Sequence, residues 1–249
     1  MIEFSIIIAT YNSKDVIGHC LQSVVDQTYQ NYEIIIVDGN SKDSTLREVD
    51  KFSSHIAHIV SEPDKGVYDA WNKGLKLASG NWIMFVGSDD QLFPDCLQSY
   101  HEFIILHRLE TIDFISSRNV LLNNKGENLK TLGGEWTWNV FKKYMNLAHV
   151  GALHHKLYFE KYGIFNDSYK IAGDYELLLR AKHNLKAKFF DKVNAKMGYG
   201  GISTASTRVF KETFKAKNTS GGVSFLNCFI DDLIARLKYF YRKTIRNYE

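Results

Sequence analysis

The sequence is poor in the features that usually announce a special class of protein. Two prolines in 249 residues, Pro63 and Pro94, exclude long proline-rich linkers. Three cysteines, Cys20, Cys96 and Cys228, stand far apart and form no CxxC pair. Neither a zinc site nor a disulfide framework is indicated, and a reducing compartment such as the cytoplasm suits them. No apolar run approaches the roughly 20 residues of a membrane-spanning helix. The first residues lead straight into a strand pattern, without the basic start and cleavage site of a signal peptide. A net charge of +3 gives no reason to expect nucleic acid as a partner. Repeats and low-complexity segments are absent. After the first strand there is neither GxGxxG nor GxxxxGK[ST], so no Gly-rich loop cradles a phosphate there.

What remains is ordinary globular composition, with 45% apolar and 24% charged residues, enough for one sizeable α/β domain. Phe4 to Ala9 and Tyr32 to Val37 are short, almost wholly apolar runs, the pattern of strands buried on both faces of a parallel sheet. Ile56 to Ser61 and Trp82 to Val86 read as two further strands. Helical spacing follows the first strand, with Ser13 as a candidate N-cap. It recurs from about Asp43, and again from Val67 to Ala78. Strand–helix alternation implies right-handed crossovers and a doubly wound sheet. Farther on, Leu92 to Leu106 reads as a helix, Asp113 to Arg118 as a strand, Gly173 to His183 as an amphipathic helix and Lys188 to Gly198 as one strand or a strand pair. The organisation expected is a domain over residues 1–222 and a basic amphipathic helix over 223–249.

Ligands of doubly wound sheets bind beyond the carboxyl ends of the strands, so the polar residues there are the candidates. Asp89 and Asp90 adjoin at the end of the fourth strand. Two such carboxylates repel unless neutralised, and a hard divalent cation neutralises them while bridging phosphate oxygens. Thr10, Tyr11 and Asn12 end the first strand, where Tyr11 can stack on a base. Asp38 ends the second and can accept from a base N–H or a ribose hydroxyl. Lys65 precedes a helix start where phosphate charge is welcome, and Asn72 lies on that helix near Asp69 and Lys73. Asp174 opens a helix, a rigid place for a general base. Each also has an ordinary reading as a cap, a turn or a solvated face; the order in which they occur is the specific signal.

That order resembles the family 2 glycosyltransferases of bacterial surface-polysaccharide synthesis. The likeness is carried by Ala9-Thr10-Tyr11-Asn12, Val37-Asp38-Gly39, Gly66-Val67-Tyr68-Asp69-Ala70-Trp71-Asn72-Lys73-Gly74, Gly80-Asn81-Trp82, Asp89-Asp90, and Phe159 to Phe165 followed by Gly173-Asp174-Tyr175-Glu176. It implies a GT-A fold, a Rossmann-like, mostly parallel sheet with helices on both faces, over residues 1 to about 205. By it, Thr10, Tyr11, Asn12, Asp38, Lys65, Asn72 and Asp89 would hold the nucleotide sugar, with UDP the commonest donor nucleotide and GDP and dTDP open. Asp90, with Asp89, would ligate Mn²⁺ or Mg²⁺. Ser88 stands where relatives carry the first Asp of Asp-x-Asp and is a poorer ligand. Asp174 would be the base of an inverting hexosyl transfer to a hydroxyl of a glycan or polyprenyl-diphosphate-linked glycan. His149 would touch acceptor or diphosphate, or be structural, and Gly200 and Gly201 would sit in a flap. A non-catalytic nucleotide-sugar-binding scaffold is the alternative; a nucleotidyltransferase would usually show the Gly-rich loop this chain lacks. The tail alternates apolar residues at helical spacing with basic ones, a pattern for peripheral contact with the inner face of the cytoplasmic membrane, for packing on the domain or for a homodimer.

Overall fold

The computed structural model describes residues 2–123, 126–198 and 206–246. Its centre is a nine-stranded sheet. The first four long elements follow the apolar runs: β1 (Phe4–Thr10), α1 (Ile17–Val25), β2 (Tyr32–Asp38) and α2 (Thr45–Asp50). Then come β3 (His58–Ser61), α3 (Val67–Leu75) and β4 (Trp82–Gly87). β3, β2, β1 and β4 lie side by side and all parallel.

Strand periodicity divides the core in two. Ile6, Ile8, Ile34, Ile36, Met84 and Val86 point to one face, against Ile17, Cys20, Leu21 and Val24 of α1. Ile7, Ile35, Val37, Ile83 and Phe85 point to the other, against Tyr68, Ala70 and Trp71 of α3. All but Trp71 among these are at most 4% exposed, so each large aliphatic contributes about 1.5–3 kcal/mol of burial. α3 approaches β1 closely because Gly74 has no side chain: a Cβ there would lie 2.4 Å from Ile7 Cγ2.

Beyond β4 the sheet changes character. Gln91–Leu92 form a two-residue strand, β5, and α4 (Cys96–His107) starts only after it. The expected helix from Leu92 is therefore four residues late, because Pro94 holds the preceding residue out of helical geometry. Next come β6 (Phe114–Leu122), β7 (Asn128–Leu132), the short α5 (Trp138–Phe141), β8 (Leu153–His155) and α6 (Lys156–Tyr162). They are followed by α7 (Gly173–Leu179) and the twelve-residue β9 (Ala187–Gly198). β8 sits between β4 and β6, antiparallel to both; β9 runs parallel to β6 and antiparallel to β5. α7 is not the long amphipathic helix expected over Gly173 to His183. It stops at Leu179, and Tyr175 to Leu179 are all buried, so solvent sees little of it. Two helices close the chain, α8 (Arg208–Thr219) and α9 (Phe225–Arg246). The sheet is thus the mixed, mostly parallel α/β architecture expected, with the C-terminal helix in place.

Candidate active site

The four parallel strands end in loops that are tied to one another. Gly39 N–H donates to the Thr10 carbonyl (2.9 Å), Asn12 N–H to Ser41 Oγ (2.8 Å), and Lys42 N–H to Asn12 Oδ1 (2.8 Å). Asn12 sits at φ +49, a left-handed conformation that asparagine tolerates better than most residues. Ser88 Oγ donates to Ser13 Oγ (2.8 Å), joining the β4 loop to the β1 loop. Ser13 is not a side-chain cap: its hydroxyl donates to the Tyr11 carbonyl (3.1 Å), although its own carbonyl receives the first helical N–H groups.

On this scaffold Tyr11 stands 60% exposed, its ring beside Gly39 and Asp64. A Cβ on Gly39 would lie 2.6 Å from Asp64 Oδ2 and 3.3 Å from the Tyr11 ring. Thr10 is buried, and its hydroxyl has no partner among the described residues. Asp38 is also buried. Its carboxylate accepts from Ser41 N–H (3.0 Å), Ser41 Oγ and Ser61 Oγ (2.7 Å). Lys65 is exposed and turned to Asp167 (2.8 Å). Asn72 is buried, and its amide holds the chain at Phe165, donating to the carbonyl (2.8 Å) and accepting from the N–H (3.0 Å).

The carboxylate pair lies at the end of β4. Asp89 is exposed; Asp90 is buried and accepts Gly87 N–H (3.0 Å). Burial, then the charge of Asp89, pushes the Asp90 carboxyl well above the usual carboxylate range. The same two charges, added to its own burial, push up the Cys20 thiol beneath them. No lysine or arginine pairs with either aspartate among the described residues.

Asp174 stands in the first turn of α7. Its Oδ1 receives Tyr175 N–H (2.8 Å) and the Tyr68 hydroxyl (3.1 Å), which also reaches the Ile171 carbonyl (2.7 Å). Burial, then the charge of Asp174, raises the Tyr68 phenol far above its ordinary value, so it remains a donor. Oδ2 has no hydrogen-bond partner among the described residues. Asp174 and His149 both border a cleft of about 680 Å³ whose lining also includes Trp71 and Met197. The residue after Met197, Gly198, is so close to Asp89 that a Cβ on it would lie 3.4 Å from Asp89 Oδ2. Gly198 thus links the strand that borders the cleft to the aspartate pair, which does not itself line the cleft. His149 is buried among Trp71, Phe85, His154 and Phe165; burial lowers its pKa from the ordinary value, against a weaker pull from Asp174. Gly200 and Gly201 lie outside the described residues.

The chain matches the family model "Glycosyl transferase family 2" over residues 5–148, more than half its length. It belongs to that family. Over 219 residues it is 32% identical to a PGL/p-HBAD biosynthesis glycosyltransferase of Mycobacterium bovis, covering 85% of this chain and 82% of that one. Among solved structures it resembles S. aureus TarS 1–349 in complex with UDP-GlcNAc (TM-score 0.69, 19% identity, 91% of this chain and 69% of that one), and it spans 41% of a longer TarS chain. The mannosyltransferase PcManGT of Pyrobaculum calidifontis, in complex with GDP-Man and Mn²⁺, is similar too (TM-score 0.60, 16% identity, 92% and 73% covered). These likenesses establish the GT-A fold, and the protein is a glycosyltransferase.

One residue that shapes the surroundings of Asp174 carries no sequence signal of its own. Glu212 of α8 is buried and accepts the N–H groups of Lys170 (3.0 Å), Ile171 (2.8 Å) and Ala172 (3.0 Å), the three residues leading into α7. Burial pushes Glu212 up, but those three N–H groups and Arg208 outweigh it and hold the carboxyl below its ordinary value. Tyr68 and Gly173 were legible as motif residues without roles; a Cβ on Gly173 would lie 2.7 Å from the Tyr68 ring. The Asp89–Asp90 pair fits a divalent cation: two hard oxygen donors, one buried and disfavoured as a lone anion, with no protein counter-ion among the described residues. Mg²⁺ and Mn²⁺ need only one or two carboxylates when waters and substrate phosphates complete the shell, which agrees with the lack of a three-ligand cluster among the described residues.

Proposed function

We propose that the transferase moves a hexose from a nucleoside-diphosphate donor, UDP-linked, to a hydroxyl of a glycan or lipid-linked glycan, inverting the anomeric centre in one displacement. The observation that carries this reading is the arrangement of Asp174: a carboxylate on the cleft with one oxygen fixed by Tyr68 and the backbone and the other without a partner among the described residues, while Gly198, next to the cleft residue Met197, lies against Asp89. In that arrangement Oδ2 takes the proton of the acceptor hydroxyl. The acceptor oxygen forms its bond to the anomeric carbon as the carbon–oxygen bond to the diphosphate breaks, and the electron pair leaves with the diphosphate. No covalent sugar–enzyme intermediate is needed.

Tyr11 offers its exposed ring to the base, and the Thr10–Asn12 and Asp38–Lys42 loops offer polar groups to base and ribose. UDP as the nucleotide is supported by the TarS complex with UDP-GlcNAc. Asp90 and Asp89 would hold Mn²⁺ or Mg²⁺, which when bound supplies positive charge to the diphosphate as it leaves. Lys65 and Asn72 serve here as positioning residues, Asn72 through the Phe165 backbone and Lys65 through Asp167. His149, its pKa lowered by burial, lines the acceptor side. The free, buried cysteines suit a reducing cytoplasm, and the name of the mycobacterial relative suits a glycoconjugate acceptor.

The test is Asp174→Asn. It should lower kcat by about 10²–10⁴-fold while UDP binding, measured by calorimetry with Mn²⁺, stays within error of the parent. Wild-type protein that binds UDP but turns over no acceptor would favour the scaffold alternative instead.

A further inference from the structure

α9 is oriented contrary to the rule for a surface helix. The side it turns to the domain is mostly small or polar: Cys228 is buried, Asp231 pairs with Lys217, Asp232 with Arg236 (2.7 Å), and Arg236 lies over the Phe210 ring, with edge contacts of Tyr239 to Phe210 and Phe225 to Phe214 beside them. Its apolar side faces outward. Leu226, Phe229, Leu233, Leu237, Phe240 and Tyr241 are each at least half exposed and lie within about a third of the helix circumference, and the exposed Phe225, Ile230 and Ile234 widen the apolar arc to roughly half. Nothing in the described part of the chain covers this arc. Clustered apolar side chains of this extent are rare on a free surface. No helix among the described residues is long and apolar enough to cross a membrane.

We propose that α9 is a lipid-contact element that lies in the interface of an anionic membrane. Two observations favour lipid over a second copy of the chain. The first is charge. Both acids of the helix are turned inward and paired, whereas residues 233–246 hold Arg236, Lys238, Arg242, Lys243 and Arg246 and no acid. Two such helices brought together would set cation against cation, whereas anionic headgroups complement them. The second is shape. A self-pairing helix needs only the narrow seam of an a/d stripe; a half-circumference apolar face suits a flat lipid surface, into which the helix sinks by its side chains. The inward face of the same helix supplies Asp231 and Asp232 to the wall of the cleft that holds Asp174. Docking would therefore fix the cleft just above the lipid, where an amphiphilic acceptor presents its headgroup.

The experiment is co-sedimentation of the full chain with vesicles of phosphatidylcholine alone and of an equal mixture of phosphatidylcholine and phosphatidylglycerol. The chain should pellet with the mixture and far less with phosphatidylcholine. Leu233→Glu should weaken partitioning by roughly tenfold or more, and Lys238→Glu by less; both positions are exposed, so thermal midpoints should match the parent. Asp174→Asn should pellet like the parent, which separates this result from the fate of the transfer reading. Recovery in the supernatant with both vesicle types overturns the proposal. So does equal pelleting with both types, or a dimer in light scattering that Leu233→Glu dissociates while vesicle binding is lacking.

Discussion

Asp90 is a carboxyl buried beside a like charge, a strain that either a proton or a bound cation relieves. Its burial and the neighbouring Asp89 raise its folded pKa above that of the unfolded chain, whose value is ordinary. A raised carboxyl pKa contributes stability at low pH, where both states are protonated or the folded state alone is, and that contribution is lost as pH rises through the folded value. Without metal, Asp90 therefore works increasingly against the fold as pH rises above the ordinary carboxylate range. Asp90→Asn should raise the metal-free unfolding midpoint, flatten its dependence on pH above 4, and at the same time abolish the extra stabilisation that UDP gives when Mn²⁺ is present. Activity should fall by about 100-fold or more, since several kcal/mol of charge stabilisation are at stake. An unchanged Mn²⁺ response in differential scanning fluorimetry would contradict this assignment. Gly173 makes a second prediction at the same scale. Gly173→Ala drives a methyl into the Tyr68 ring, displacing the hydroxyl that fixes Asp174 Oδ1. A misplacement of this kind costs on the order of 10²-fold in kcat, and steady-state kinetics should show it with little change in donor KM.

At the scale of elements, the site depends on α8 as much as on the strands. Glu212 gathers three backbone N–H groups just ahead of α7, so it sets where that helix begins and hence where Asp174 points. Glu212→Gln keeps the shape and removes the charge. It should destabilise the fold by about 1–2 kcal/mol in denaturant unfolding and lower kcat rather than raise donor KM, the signature of a positioning residue. None of this was legible in the sequence, because a glutamate in a charged helix looks like solvated surface until the helix is seen to cross a loop 40 residues away. The first four strands were legible because alternate residues of each run are buried on opposite faces, which leaves nearly unbroken apolar strings. The helix expected from Leu92 was misread by discounting Phe93-Pro94 against the apolar spacing around it. The loops proposed for the donor were legible as the ends of the first, second and fourth strands. That Asn72 spends its amide on Phe165, and Lys65 its charge on Asp167, was not, since both partners come from about a hundred residues downstream.

For the whole molecule, the fold rests on a narrow seam. β8 contributes three residues between β4 and β6, pairing Ile83 with His154 and Phe114 with His154 on its two sides. His154 is fully buried, and burial, then the neighbouring His149, holds its pKa well below the ordinary value of 6.5. A depressed histidine pKa means that the folded and unfolded chains are alike above about pH 6.5, and that stability falls below it as the unfolded chain alone takes up the proton. Unfolding midpoints in urea should therefore fall steeply between about pH 7 and pH 5, and His154→Phe should make that slope shallower. A slope unaltered by the substitution would assign the acid sensitivity elsewhere.

The same seam sets an order on birth from the ribosome. By the time residue 90 has emerged, β1 to β4 can pair and every side chain offered to the nucleotide is present, but the strand that stitches them to β6 arrives some sixty residues later, and Asp174 later still. The nascent chain thus acquires a parallel half-sheet with a second open flank at β4 besides the β3 edge, the kind of unpaired edge that recruits wrong partners. Delay in delivering Leu153–His155, by a slow codon stretch or a truncation, should be felt as aggregation before it is felt as lost catalysis.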